Sequence, residues 1–309
     1  MVGTFIQSYD CEGRWGVADH LSPSLRAQMR GESLEIVYAR LAAILNRHRM
    51  PGTFAFVGAF LCEPHLLGWH IATLRALHAH CPGYLDSFFV DFERNDLDGW
   101  NGAGCLAKVR AGSSVHEIAT HGFSHIPWDW PGFSEAMAML ELEAVRSISR
   151  AMGIDVKTVV FPRNAIAYLA QLKTHHFAGY RRSEMWRSKI ARMVRELNLW
   201  EAADTDARVD IPVAIPGGQF MNVRFGVRRF IPAKITIARW RHIIDDACRH
   251  GGVAHLWCHP ENFLGAPDGF NTLNEILLYV AKRRDEGRIG VVTQAEYCAR
   301  LMQNSGPRT

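Results

Sequence analysis

Short apolar runs alternate with longer amphipathic segments along most of this 309-residue chain. The apolar, β-prone runs lie at residues 3–9, 53–57, 156–161, 253–258 and 289–292. Continuous apolar runs of this length are typical of strands in a parallel sheet that is covered on both faces. The first of these runs leads directly into Asp10, which places a carboxylate at the end of the first predicted strand.

The segments between these runs show the spacing of apolar residues that is typical of helices. The helices predicted from this spacing cover residues 34–48 (with Ser33 as N-cap), 65–80, 134–152, 165–174, 236–250, 273–286 and 294–302. Repeated strand–helix units predict an α/β barrel, or a distorted relative of one, in a single domain over residues 1–309.

Two regions depart from this alternation. Residues 81–105 are rich in turns and aromatic side chains, and we interpret them as an insertion that passes over the edge of the sheet. Residues 181–235 show little periodicity apart from a polar helix predicted at 186–199. We expect both regions to influence substrate specificity.

Composition and charge favour a globular protein with a large core. The chain is 48% hydrophobic and 21% charged, and its net charge of +4 gives no reason to expect a nucleic-acid partner. Lysine and arginine are more frequent at residues 181–195 and 224–249, which we interpret as solvated helix faces rather than a patch for an anionic partner.

The cysteines and the N-terminal segment favour a reducing compartment. The seven cysteines are scattered and form no CxxC pair, so we expect reduced thiols, with Cys11 and Cys258 as buried fillers near the candidate site. No secretory signal is recognisable, and no run approaches the roughly 18 apolar residues of a membrane-spanning helix. We therefore expect a cytoplasmic protein without a membrane span.

Polar residues with catalytic potential follow the predicted strands. Asp10 and Glu12 follow the first run, His259 follows the run at 253–258, and His121 and His125 lie four residues apart after an apolar segment. Barrels of this class carry their catalytic groups at the C-terminal ends of several strands. Two imidazoles at this spacing can share one face of a helical turn and bind one metal ion.

A carboxylate and two imidazoles form a metal-binding face with open positions, as hydrolytic zinc sites require. A second carboxylate beside the metal can accept the proton of an attacking water, and a histidine such as His259 can protonate a leaving amine. The donor set suits Zn²⁺, and Co²⁺ and Ni²⁺ bind similar nitrogen and oxygen ligands.

Four ordered segments resemble motifs of the polysaccharide deacetylase family, the NodB-homology deacetylases of carbohydrate esterase family 4, and a fifth, 52–58, resembles the strand that follows the first motif of that family. The resemblance is closest in the histidine segment and extends in order over nearly the whole chain. The matching segments are 9–12 (YDCE), 52–58 (GTFAFVG), 115–125 (VHEIATHGFSH), 161–164 (FPRN) and 256–259 (LWCH). The resemblance implies a distorted (β/α) barrel of the NodB-homology type.

The same resemblance implies a role for each matching residue, carried over position by position. Asp10 would be the general base, and Arg163 would orient it or tune its charge. His259 would be the general acid, and Asn164 would contact the substrate oxyanion through its N–H group or its side chain. The metal ligands would be Glu12, His121 and His125.

Three departures from the family pattern leave alternatives open. The two carboxylates are spaced as Asp-x-Glu instead of being adjacent, so the roles of Asp10 and Glu12 could be exchanged. The third motif lacks the Pro-Tyr-Gly that normally follows its arginine. The fourth motif, an Asp-Trp pair, has no clear match, with Trp186 and Asp210 as weak candidates.

The resemblance implies a metal-dependent N-deacetylase that removes an acetyl or other acyl group from an amino sugar. Because we expect a cytoplasmic protein, the expected substrates are a sugar nucleotide, a lipid-linked sugar or a sugar-bearing metabolite rather than an extracellular polymer. One alternative is the hydrolysis of a non-sugar amide or ureide on the same fold. Another is a catalytically silent glycan-binding relative.

Overall fold

The computed structural model describes residues 2–183, 196–205 and 210–304. Its central feature is a parallel sheet, and all strand pairings within the described ranges are parallel apart from one isolated antiparallel bridge. The strands are β1 (Gly3–Cys11), β2 (Thr53–Phe56), β3 (Glu117–Thr120), β4 (Thr158–Val159), β5 (Gly179–Arg181), β6 (Val213–Ile215), β7 (Gln219–Phe220), β8 (Val253–Cys258) and β9 (Ile289–Val292).

The strand order is β6-β5-β4-β3-β2-β1-β8-β7. The C-terminal half of β1 pairs with β2 between Ser8 and Cys11, and its N-terminal half pairs with β9 between Gly3 and Ile6. The sheet curls into a barrel that stays open, since β6 and β7 form no pairing with each other in the ranges given above. The distorted α/β barrel expected from the strand–helix alternation is confirmed.

Amphipathic helices surround the sheet, and the long ones coincide with the predicted segments to within a few residues. The helices are Pro23–Gln28, Gly31–His48, Gly58–Leu61, Pro64–His80, Asp86–Glu93, Ala103–Arg110, Glu135–Ala151, Leu169–Thr174, Ala233–His250, Gly269–Asp285 and Gln294–Asn304. None of the helices described here is long and apolar enough to cross a lipid bilayer.

The helix start predicted from the N-cap pattern at Ser33 is wrong. Ser33 is not the N-cap of the second helix, which begins at Gly31 after Arg30. The carboxylate of Asp98 accepts a hydrogen bond from the Gly31 N–H at 2.7 Å. A distant side chain therefore satisfies a backbone donor that a local cap would otherwise bind, and the helix begins three residues earlier than its N-cap pattern predicts.

Strands β4 to β7 are too short to be recognised from periodicity. The predicted strand at 156–161 shrinks to two residues in β4, and β5, β6 and β7 contain only two or three residues each. Runs of two or three residues are too short to show the two-residue alternation of a strand. The helix predicted at 186–199 falls largely on residues 184–195, which lie outside the described ranges.

The segment at 81–105, predicted to pass over the sheet edge, is packed into the core. It contains the helix Asp86–Glu93, and Trp100 is almost completely buried. The ring of Trp15, which follows β1, lies 4.6 Å from Phe88 and 5.1 Å from Trp100 between centroids. The segment is therefore anchored directly beside the end of β1, where Asp10 and Glu12 lie.

The seven cysteines are free thiols and all are buried, as the filler interpretation requires. Cys11 and Cys258 lie at the C-terminal ends of the paired strands β1 and β8. Burial raises the pKa of both thiols well above the ordinary value, which keeps them protonated and weakly nucleophilic. Their role next to the candidate site is packing.

Candidate metal centre and active site

Three of the predicted ligands converge at the C-terminal ends of β1 and β3. Glu12 directly follows β1, and His121 directly follows β3. The Oε1 atom of Glu12 lies 3.0 Å from the Nε2 atom of His121 and 3.0 Å from that of His125, and the two Nε2 atoms are 3.2 Å apart. Adjacent ligands of one ion with bonds of about 2.1 Å are about 3.0–3.4 Å apart. The three atoms therefore fit a single divalent ion.

Both imidazoles are held so that Nε2 points into this triangle. The Nδ1 atom of His121 lies 2.7 Å from the backbone oxygen of Val160, which can only accept a hydrogen bond. The Nδ1 atom of His125 lies 2.7 Å from Oη of Tyr84, which itself donates to the carbonyl of Trp15 at 3.5 Å. Protonation at Nδ1 leaves each Nε2 lone pair available for a metal.

The two histidines lie in a loop after β3 and not on the helical turn considered from their spacing. Gly122 and His125 both have left-handed backbone conformations, with φ values of 76° and 65°. The loop is held by the buried carboxylate of Glu141, which accepts hydrogen bonds from the Phe123 N–H at 2.5 Å and from the N–H and hydroxyl groups of Ser124. Tertiary contacts therefore replace helical geometry in bringing the imidazoles together.

Asp10 lies beside the triangle and is bound by an arginine. The guanidinium of Arg181 donates from Nη1 to Oδ1 and from Nη2 to Oδ2 of Asp10, each at 2.7 Å. Both side chains are at least 97% buried. Burial alone would raise the pKa of Asp10, but the Arg181 guanidinium outweighs burial, so the pKa is lowered and Asp10 stays ionised.

The predicted pairing of Arg163 with Asp10 is replaced by this contact. Arg163 instead donates to Asp19 at 2.5 Å, and its guanidinium lies 5.2 Å from the centre of the Tyr84 ring. Arg163 has a left-handed φ of 51° within the 3₁₀ turn Pro162–Asn164. This turn directs the side chain toward the surface, while strand β5 delivers Arg181 to the interior position.

Asn164 contributes to the same arrangement through its side chain. Its Oδ1 atom accepts a hydrogen bond from Nη2 of Arg181 at 3.1 Å. Its backbone N–H, considered above as an oxyanion donor, is bonded to the carbonyl of Phe161 at 2.9 Å. In the structure, Asn164 therefore helps to orient Arg181, and its contact with substrate stays a prediction.

A polar network below Asp10 orients Arg181 further. Nη1 of Arg181 lies 3.3 Å from Oγ of Ser8, and that hydroxyl is 2.9 Å from Nε2 of His255. Nδ1 of His255 is 2.6 Å from the carbonyl of Pro216. Burial, together with the nearby Arg181 charge, lowers the pKa of His255 to about 3, so this histidine is neutral near pH 7.

His259 faces both carboxylates from the end of β8. Its Nε2 atom is 3.5 Å from Oε1 of Glu12 and 3.9 Å from Oδ2 of Asp10. Burial would lower its pKa, but the adjacent carboxylates, Glu12 first, raise it to about 9. His259 is therefore an imidazolium at neutral pH, the protonation state that a general acid needs.

Glu261 is a site residue that sequence reasoning missed. Its Oε1 atom accepts hydrogen bonds from the backbone N–H groups of Glu12 at 3.0 Å and Gly13 at 2.7 Å. Gly13 has a left-handed φ of 53°, so the chain turns sharply after Glu12. The only sequence signal was an acidic residue two positions after His259.

Two overlapping groups of side chains could hold a cation in the described part of the chain: Glu12 with His121 and His125, and Asp10 with Glu12 and His259. The first group has the shorter separations, and the cation nearest to it among the described residues, His259, lies 3.5 Å from the Glu12 carboxylate. In the second group Asp10 is already neutralised by Arg181 and His259 carries a positive charge. The separations therefore favour the first group, in which Glu12 would be the metal-binding carboxylate.

No protein-family model matches this sequence, and no curated protein matches it. Among solved structures, a provisionally assigned polysaccharide deacetylase from Mycobacterium smegmatis aligns with a TM-score of 0.60 at 16% identity, over 100% of this chain and 94% of its own. A second provisionally assigned polysaccharide deacetylase, from Pseudomonas aeruginosa PAO1, gives 0.54 at 13% identity, over 99% and 92%.

The Puue allantoinase also aligns, with a TM-score of 0.55 at 13% identity over 99% of this chain and 91% of its own. Identities this low establish the fold and leave the reaction to be argued from the site. The chain has the fold of the polysaccharide deacetylases, a distorted (β/α) barrel of the NodB-homology type, as its sequence motifs predict.

Proposed function

We propose that this protein is a metal-dependent amide hydrolase that removes an acetyl or other acyl group from an amino sugar. The observation that carries the proposal is the triangle formed by one carboxylate oxygen of Glu12 and the Nε2 atoms of His121 and His125, with sides of 3.0, 3.0 and 3.2 Å. Three ligands of this kind leave positions for water and substrate, which is the arrangement of a catalytic metal site.

A divalent ion, with Zn²⁺ as the best match to the donors, would supply Lewis acidity, lowering the pKa of a coordinated water toward about 7. Asp10 accepts the proton of the attacking water in this proposal. Its bidentate pairing with Arg181 keeps the carboxylate ionised and fixes its orientation toward the triangle. Of the two assignments that the sequence leaves open, this pairing supports the one with Asp10 as the base.

His259 supplies the proton that the departing amine nitrogen needs. Opposite pKa shifts prepare the two groups, because Arg181 lowers the pKa of Asp10 while carboxylates raise that of His259 to about 9. Such divergent shifts in neighbouring groups are typical of a base and an acid that act in one reaction.

Aromatic side chains border the proposed acid. The ring of Trp257 lies 5.6 Å from that of His259, and the ring of Phe220 lies 6.0 Å from it. Aromatic faces of this kind pack against the apolar face of a sugar ring. This border supports an amino sugar over a small, fully polar amide as the substrate.

The experiment that tests the proposal measures amide hydrolysis by metal-stripped protein with and without added Zn²⁺ or Co²⁺, as acetate release from N-acetyl compounds and as ring opening of cyclic amides. The substrates are UDP-N-acetylglucosamine, a panel of N-acetyl amino sugars, and cyclic amides and ureides. His125→Ala is the inactive variant, and His65→Ala, on an exposed helix end, is its matched control.

We expect metal-dependent acetate from at least one amino sugar, retained in His65→Ala and lost in His125→Ala. Metal-dependent opening of a cyclic amide without release from any sugar would overturn the sugar assignment and retain the hydrolase. Binding of a sugar without metal and without turnover would overturn the enzyme and favour a silent glycan-binding protein.

A further inference from the structure

A long segment next to the active site contains no acidic residue. Between Asp210 and Asp245 the chain has no aspartate or glutamate, and it carries six lysine or arginine residues: Arg224, Arg228, Arg229, Lys234, Arg239 and Arg241. The proposed reaction uses none of them. Arg239 is buried, and three of the others face a carboxylate: Arg224 faces Asp268, Arg228 faces Glu196 and Arg241 faces Glu275. The two cations that could contact an anionic partner are therefore Arg229 and Lys234.

The start of this segment exposes large apolar side chains beside the basic ones. The 3₁₀ turn Gly226–Phe230 leaves 68% of Val227 and 76% of Phe230 accessible to solvent. Arg229 and Lys234 are also exposed, and no carboxylate in the described parts of the chain pairs with either. Exposed apolar residues that are interspersed with cations are typical of a surface that enters a lipid headgroup layer.

The turn is held in a fixed conformation by buried groups. The side chain of Asn222, which is 2% exposed, donates to the carbonyl of Arg228 at 3.3 Å and accepts from the N–H of Arg224 at 2.7 Å. Nε of Arg228 donates to Glu196 at 2.7 Å. These hydrogen bonds therefore hold the turn in a conformation that leaves Val227 and Phe230 exposed.

The turn also lies at the rim of the proposed active site. The guanidinium of Arg228 lies 5.0 Å from the centre of the Phe220 ring. Phe220 in turn contacts the ring of His259, with 6.0 Å between centroids. A surface bound by this turn would thus lie one aromatic ring away from the proposed general acid.

We propose that residues 224–234 dock the protein onto a membrane surface that contains anionic lipids. Val227 and Phe230 enter the headgroup layer, and Arg229 and Lys234 contact lipid phosphates. A soluble polyanion such as RNA would engage the cations but leave the two apolar side chains in water, so it accounts for only half of the surface. The identity of the substrate follows only together with the proposed function: if that function holds, the amide substrate is an amino sugar carried on a lipid.

The test is co-sedimentation of the metal-loaded full chain with vesicles. One set contains equal parts of phosphatidylglycerol and phosphatidylcholine, and the other contains phosphatidylcholine alone. The double variants Val227→Ser with Phe230→Ser, and Arg229→Glu with Lys234→Glu, remove the apolar and the cationic contribution separately. Trp69→Ser with Val115→Ser is the matched control, since these side chains are 72% and 86% exposed elsewhere on the surface.

We expect binding to the anionic vesicles that weakens as salt is raised, and that falls on the order of tenfold in each double variant but not in the control. Equal binding to both vesicle types, no binding to either, or the same loss in the control would overturn the proposal. Binding to RNA or heparin without binding to vesicles would overturn it in favour of a soluble polyanion.

Vesicle binding and catalysis are measured separately, so the two proposals fail separately. Acetate release from a water-soluble substrate without vesicle binding overturns the docking surface and retains the hydrolase. Anionic-vesicle binding that depends on Val227 and Phe230, in a protein without hydrolytic activity, retains the docking surface and overturns the proposed function.

Discussion

Arg181 binds both carboxylate oxygens of Asp10, with two parallel N–H···O hydrogen bonds of 2.7 Å in a fully buried environment. The pair joins strand β5 to strand β1 across the barrel interior. It takes the place that the sequence motifs assign to Arg163, whose side chain lies near the surface and pairs with Asp19. The electrostatic state of the proposed base therefore depends on a residue outside the five matching segments.

Replacing Arg181 tests this relationship. Arg181→Met leaves Asp10 buried without its cation, so we expect turnover to fall at least about a hundredfold, as when a general base is lost. Arg181→Lys restores the charge without the bidentate geometry and should recover only part of the activity. Steady-state kinetics measure the turnover. Arg163→Met is the control and should change turnover little. A larger loss of turnover in Arg163→Met than in Arg181→Met would contradict the assignment.

Tyr84 should influence metal affinity without being a ligand. Its hydroxyl fixes Nδ1 of His125, and loss of such a supporting contact typically weakens a metal site by about 10–100-fold. We therefore expect Tyr84→Phe to raise the Zn²⁺ dissociation constant by that factor in competition with a chelator. Tyr168→Phe, which removes a hydroxyl that donates to the Phe133 carbonyl, is the control, and equal affinities for all three proteins would contradict the role of Tyr84.

His259→Gln separates the two groups that could hold a cation. If His259 is the general acid and not a ligand, the variant binds one Zn²⁺ as tightly as the wild type while turnover falls by about 10²–10⁴-fold. Metal content by atomic absorption and turnover on the same preparation give both values. Loss of the bound metal together with the activity would show that the ion is held by Asp10, Glu12 and His259 instead.

His255 should make stability depend on pH. Burial and the Arg181 charge lower its pKa from 6.5 to about 3, so the unfolded chain binds a proton below pH 6.5 that the folded protein does not. Its contribution is fully present above pH 6.5 and is lost as pH falls toward 3, at about 1.4 kcal/mol per pH unit.

Urea unfolding between pH 7 and pH 5 measures this contribution. His255→Gln removes the titrating group, so we expect a smaller decrease in unfolding free energy with falling pH than in the wild type. The comparison uses the slope, because the variant also changes packing and lowers stability at every pH. His65→Gln, on the surface, should keep the wild-type slope; identical slopes in all three proteins would show that His255 is not held neutral.

The sequence predicts the fold because its long elements are regular. Strands β8 and β9 have the bounds predicted from their apolar runs, and the long helices agree closely with their amphipathic segments. The short strands β4 to β7 are formed by neighbours in the sheet rather than by local pattern. For this reason the region 181–235, which contains β6 and β7 and begins at the last residue of β5, could not be interpreted from periodicity.

The same limitation explains the misassigned arginine. Asp10, Glu12, His121, His125 and His259 lie at the ends of recognisable strands or in the specific histidine motif, and the structure brings all five together. Arg181 ends β5, a strand of three residues that was not recognised, so no pattern connected it to Asp10. Glu261 and Tyr84 act through contacts between residues far apart in the sequence, which local sequence does not encode.

The claim that Glu12, His121 and His125 hold one catalytic divalent ion is tested most directly by titrating Zn²⁺ into metal-stripped protein in a calorimeter. The account predicts one tightly bound ion in the wild type and in His65→Ala, and loss of that binding in Glu12→Ala and in His125→Ala. Unchanged binding in these two variants, or no binding to the wild type, would contradict it.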